Sequence, residues 1–155
     1  MFADATAEKY LDILSVESTP VSVDKLPGAL GLEIIYCPLG SRFNGIYLTY
    51  REIPFITIEE QLKTAERRRA IAHECGHRAL HHPARRLCLK NLSVDDVINP
   101  KEEYQAELFA AYFLIPRGTN FENCTKWELA DRLQVPIDLL EFRIEHEKNQ
   151  SLSYF

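Results

Sequence analysis

The stretch IAHECGHRALHH, residues 71–82, holds four of the chain's five histidines. It closes a longer run, EEQLKTAERRRAIAHECGHRALHH, in which Leu62, Ala65, Arg69/Ala70, His73, His77 and Leu80 recur at intervals of three and four. That spacing predicts one helix over 62–82, stopped by Pro83. Residues four apart on a helix share a face, about 6 Å apart along the axis. His73 and His77 have that relation and can turn a ring nitrogen each onto one ion at about 2.0–2.1 Å. Glu74 lies about 100° further round, beside such an ion rather than on it. His81 continues the stripe but sits about 12 Å from His73, too far for a straight helix to share one centre.

His73, Glu74 and His77 spell H-E-x-x-H, the arrangement of zinc peptidases, in which the carboxylate takes a proton from the attacking water. A catalytic zinc has three protein ligands and one open position. The acidic helix expected over 101–115, KEEYQAELFAAYFLI, is the source of the third. Its apolar face carries Ala106, Phe109, Ala110 and Phe113, with Glu103 and Glu107 on or beside it. A carboxylate drawn towards a buried face needs a partner, and a cation is one. Small Ala106, Ala110 and Ala111 allow two helices to approach closely.

The rest of the chain supplies the frame. Its 155 residues suit one domain, and 46% hydrophobic and 26% charged content is ordinary for a folded protein. A net charge of −5 gives no overall basic field to draw it onto nucleic acid or anionic lipid. The N-terminus lacks a secretory pattern, and LFAAYFLIP (108–116) is too short to span a bilayer, so it reads as a buried core helix in a cytoplasmic protein. Cys37, Cys75, Cys88 and Cys124 form no C-x-x-C pair and read as small buried thiols. A helix is expected over 4–16, capped by Asp4 or Thr6. A short helix at 24–31, broken at Pro27 and ended by Gly31, comes next. Strands are expected at 32–37, 45–50 and 54–58, and 83–100 reads as a loop with a helical turn at 93–98. A helical pair over 125–147 is capped by Thr125 and opened by Pro136.

AHECGH, followed 26 residues after His77 by EYQAELFAAYFLIP, resembles the ImmA/IrrE metallopeptidases. Their second motif, E-x-x-A-x-x-F-A-A-x-x-L-x-P, is met by Glu103, Ala106, Phe109, Ala110, Ala111, Leu114 and Pro116. The likeness runs roughly from residue 8 to 145. It implies an α+β, zincin-like fold: a small antiparallel sheet on a helical body, with the H-E-x-x-H helix between them. It implies His73, His77 and Glu103 as metal ligands and Glu74 as the catalytic carboxylate. Glu107 stands where the family often has a short polar residue and is placed behind the ligands. Cys75 and the pair Arg69–Ala70 depart from the family pattern in ways that touch helix packing. The implied cofactor is Zn2+, with Mn2+ or another divalent ion as the alternative. The implied substrate is a separate helix-turn-helix repressor, with no direct contact to nucleic acid or membrane.

Tyr50, Tyr104, His81 and His82 are the candidates for stabilising the oxyanion or touching substrate. A strand edge at 45–50 or 54–58 could hold the substrate extended. Two rival functions compete with this reading. One is a metal-containing anti-repressor that grips its target without cutting, against which Glu74 argues. The other is a DNA-binding regulator built on ELADRLQVPIDLLEFRI. Its second helix sets Asp138, Glu141, Glu145 and Glu147 against Arg143 and Lys148, the wrong balance for a phosphate-facing helix. The arginine run 67–69 reads as a solvated helix face.

Overall fold

The computed structural model of the protein describes residues 2–40, 42–88, 93–94 and 98–153. The chain runs α1 (Ala3–Ile13), α2 (Leu26–Ala29), β1 (Glu33–Cys37), β2 (Gly45–Tyr50), β3 (Ile53–Glu59) and α3 (Thr64–Ala79). It continues through β4 (Arg85–Cys88), β5 (Ser93–Val94), α4 (Pro100–Leu114), α5 (Lys126–Leu133) and α6 (Ile137–Leu152). The expected α+β, zincin-like arrangement is present.

The strands lie in the order β1-β3-β2-β4-β5. β-branched and aromatic residues fill β2 and β3, which pair antiparallel with Tyr50 opposite Ile53. Their two-residue turn holds Arg51 and Glu52 at φ +49° and +66°, the twist such tight hairpins require. The sheet is mixed rather than antiparallel, because β1 runs parallel to β3 and β4 parallel to β2. Parallel neighbours need a crossover: β2 lies between β1 and β3 in the chain, and β3 with α3 lies between β2 and β4. The segment expected to be a loop over 83–100 thus contains β4. At 93–94 strand β5 stands where a helical turn was expected, and 95–97 lie outside the described residues.

The core centres on α4. Ala106 and Phe109 through Ile115 are fully buried, as befits a helix apolar all round. α3 packs on one side of it, with α1 and α6 on others. The close approach of α3 and α4 depends on Gly76 as well as on the expected alanines. A Cβ at Gly76 would lie 3.1 Å from the Ala106 carbonyl oxygen and 3.1 Å from Phe109 Cβ.

Several local expectations change. α1 starts at Phe2 without a side-chain cap; Thr6 Oγ1 instead donates to the Phe2 carbonyl at 2.8 Å. Pro27 opens α2 rather than breaking it. Thr125 does cap α5, in a reciprocal box with Glu128. The arginine run is solvated only at Arg67. Arg68 is buried and donates to the carbonyls of Val21, Leu133 and Gln134, tying α3 to the turn before α6. Arg143 is also buried, donating to the Ile115 carbonyl at 2.9 Å with its guanidinium 3.8 Å from the centre of the Tyr112 ring. Among the described residues Cys75 is fully buried, as expected, whereas Cys37 and Cys124 are partly exposed; the side chain of Cys88 lies outside the described residues.

Gly76→Val forces α3 and α4 apart at a backbone-to-backbone contact. The expected cost is about 1–3 kcal/mol of unfolding free energy, read as a lower urea midpoint at unchanged slope.

Candidate metal centre

The centre is built where the second half of α3 meets the first turn of α4. Asn99 caps α4, its side chain accepting from the backbone N–H groups of Lys101 and Glu102, and Pro100 opens the helix. That entry brings Glu103 to face α3. Glu103 Oε2 lies 3.0 Å from His73 Nε2, and Glu103 Oε1 lies 3.2 Å from His77 Nε2. One donor atom from each of the three residues falls within 4.8 Å of the others, a grouping that can hold a metal ion.

The charges around these groups are strongly coupled. Burial opposes a charged His73, but its hydrogen bond to Glu103 and the nearby Glu107 carboxylate overcome this and raise its pKa to about 10. Hydrogen bonds from His73 and His77 hold the Glu103 carboxyl well below its ordinary value. Burial also opposes ionisation of Glu107, yet His73 and Arg69 bring its carboxyl down to about 2. Two carboxylates thus concentrate negative charge around two ring nitrogens, a setting that suits a divalent cation. Two imidazoles and a carboxylate are also the donor set of open, catalytic zinc sites rather than closed structural ones.

Glu107 does not reach the centre. Its Oε2 is 3.9 Å from His73 Nδ1, behind that ring, and Arg69 grips both its oxygens at 3.2 and 3.0 Å. Arg69 also reaches Asp138 at 2.8 Å, linking α3, α4 and α6.

Glu74 is buried beside the trio, and burial pushes its carboxyl upward against the pull of His73, His77 and Arg85. A Cβ on Gly45 would lie 3.0 Å from Glu74 Cγ, so the glycine at the start of β2 makes room for the acid. Two clefts, of about 510 and 470 Å³, share Arg42, Phe43, Gly45, Glu74 and Glu103 as lining residues. One extends past His77 towards Pro83 and Arg85, the other past His73 towards Arg69. The trio therefore lies where two open clefts meet.

The remaining candidates divide. His82 joins the cluster: its Nδ1 is 2.9 Å from His77 Nδ1 and its Nε2 is 3.0 Å from Gln105 Oε1. Burial, the largest influence on it, holds its pKa below the ordinary value. His81 is exposed, with φ +61°. Tyr104 is half exposed and packs edge-on against Phe142. Tyr50 ends β2 beneath Arg51. None of these three lines either cleft. Gln105 and Arg85 escaped the sequence reading. Arg85 lines the larger cleft with its guanidinium 5.2 Å from the Phe43 ring, and its Nη1 is buried with no hydrogen-bond partner among the described residues. An arginine two residues past Pro83 carries no pattern that marks it.

No helix among the described residues is long and apolar enough to cross a membrane. No curated protein matches the chain. Residues 28–145 match the peptidase family model described as Peptidase_M78, IrrE N-terminal-like domain. That match covers both histidines, the adjoining acid and the helix bearing Glu103, so the chain belongs to the ImmA/IrrE family of metallopeptidases.

Proposed function

We propose that the protein is a single-domain, zinc-dependent endopeptidase of the cytoplasm that cleaves a separate helix-turn-helix repressor. The observation that carries the reading is the convergence of His73, His77 and Glu103 at the junction of two clefts, with Glu74 buried beside them. A groove open on both sides of the reacting centre suits a bond in the interior of a chain rather than at its end. The family resemblance supplies the substrate class.

His73, His77 and Glu103 would hold the ion. When bound, zinc acts as a Lewis acid on the scissile carbonyl and eases deprotonation of the attacking water. Glu74 takes that proton and passes it to the departing amine. Its burial suits both duties, because a raised carboxyl pKa narrows the gap between accepting and releasing a proton.

Two sequence expectations for substrate contact are refined. β3 is an interior strand, flanked by β1 and β2. On β2, β4 pairs with Leu48 and Thr49, and Gly45–Tyr47 line the cleft instead. That short open edge would pair with an extended substrate. For the developing oxyanion, Arg85 replaces the tyrosines and His81. Its guanidinium lines the same cleft as Glu74, and an N–H without an acceptor gains from one that arrives with the substrate.

His77→Ala and Glu103→Ala each lower zinc content by atomic absorption, whereas Glu74→Gln keeps the metal and loses cleavage of a candidate repressor on a gel. Full occupancy in both ligand variants would remove the ligand assignment. A Glu74→Gln protein cutting at the wild-type rate would remove the acid's role. Binding of the repressor without any chelator-sensitive cutting would favour the anti-repressor reading. Arg85→Met should lower kcat by roughly 10²–10³ with a smaller change in KM; unchanged kcat would exclude Arg85 from the chemistry.

A further inference from the structure

The end of α3 is closed by a backbone motif that determines where His82 goes. His81 adopts φ +61°, His82 N–H donates to the His77 carbonyl at 2.8 Å, and His81 N–H donates to the Arg78 carbonyl at 3.1 Å. This pair of bonds around a left-handed residue is the Schellman motif, which sets the second residue past the helix against the residue five positions earlier. Here those residues are His82 and His77, and their ring nitrogens Nδ1 meet at 2.9 Å.

The protons in this contact can be assigned by counting donors and acceptors. The Gln105 amide oxygen can only accept, so the His82 nitrogen facing it, Nε2, carries the hydrogen. A neutral His82 protonated on Nε2 has a bare Nδ1, which accepts from its neighbour. With a cation at the centre, His77 therefore donates through Nδ1–H and its own lone pair lies on Nε2. That is the nitrogen 3.2 Å from Glu103 Oε1, facing the centre. His73 is set the same way round, with Nε2 towards Glu103 and Nδ1 towards Glu107 behind it.

We infer that Gln105 and His82 form a relay that holds His77 in the tautomer whose Nε2 lone pair faces the metal centre, so that both are positioning residues for metal binding. The inference rests on the metallopeptidase reading above and deepens it. Groups that orient a ligating imidazole through its far nitrogen raise its basicity and fix its ring, and losing one typically costs tenfold to hundredfold in metal affinity. The carboxylate behind His73 and the histidine–amide pair behind His77 would then do equivalent work with different chemistry.

The test measures zinc dissociation constants by chelator competition, with circular dichroism and melting temperature as checks on folding. His82→Phe keeps the ring's bulk and removes the acceptor; zinc binding is expected to weaken roughly tenfold to hundredfold. His82→Asn, whose amide oxygen can accept, is expected to restore most of that loss. Gln105→Leu frees the His82 tautomer and gives a smaller loss. His81→Gly keeps the left-handed turn, deletes an imidazole and is expected to bind as the wild type does. Long-range 1H–15N spectra of the zinc-loaded wild type are expected to show hydrogen on His77 Nδ1 and on His82 Nε2.

Wild-type zinc affinity in folded His82→Phe, or a His82 ring protonated on Nδ1 in the loaded protein, overturns the relay and leaves the ligand set intact. A wild-type protein that takes up no zinc overturns the metal reading itself.

Discussion

The structure depends on how closely α3 can lie against α4. At Gly76 the two helices touch backbone to backbone, with the Ala106 carbonyl and the Phe109 side chain where a side chain on residue 76 would go. Gly76 stands one residue before His77, and Ala106 three residues after Glu103. The contact that closes the core therefore also fixes how far the acid stands from the imidazoles. A separation of 3.0–3.2 Å between Glu103 and two ring nitrogens is a property of helix packing before it is a property of chemistry.

A second layer of interactions keeps those groups from turning. Arg69 spans from α3 to Glu107 on α4 and Asp138 on α6. Arg68 anchors the same helix to three backbone carbonyls. Each of these arginines satisfies buried or half-buried acceptors, which a solvated charge would not do. The fold thus holds the α3 side of the site from beneath and the α4 side through the Asn99 cap.

Much of this was legible in the sequence, because it rests on short-range periodicity. The four-residue step from His73 to His77, the apolar letters of α4, and the stops at Pro83 and Pro116 need only helix geometry to be read. The capping box at Thr125 is equally local. What could not be read depends on the chain meeting itself. β4, with the sequence Arg85-Arg86-Leu87-Cys88, is too short and charged to announce a strand, and forms because α3 delivers it alongside β2. The separation of His81 from His82 rests on a left-handed backbone at residue 81, which neighbouring identical letters cannot express. Arg85, Gln105 and Gly45 acquire their places in or beside the cleft from elements remote in sequence. Even the sheet's mixed character follows from which strands meet, β1 against β3 and β4 against β2, rather than from their composition.

The burial of α4 begins in earnest at Ala106, one turn past Glu103. The alanines, phenylalanine and leucine of its motif are answerable to the interior, while the acid stands on the one turn of that helix that reaches the surface. Architecture and reactivity are consequently carried by different letters of the same word. A descendant could trade Glu103 for an inert side chain and inherit the scaffold whole, keeping its grip on a target while losing the blade. Within this lineage, an intact hydrophobic signature certifies ancestry, and only the imidazoles and their acids certify an enzyme.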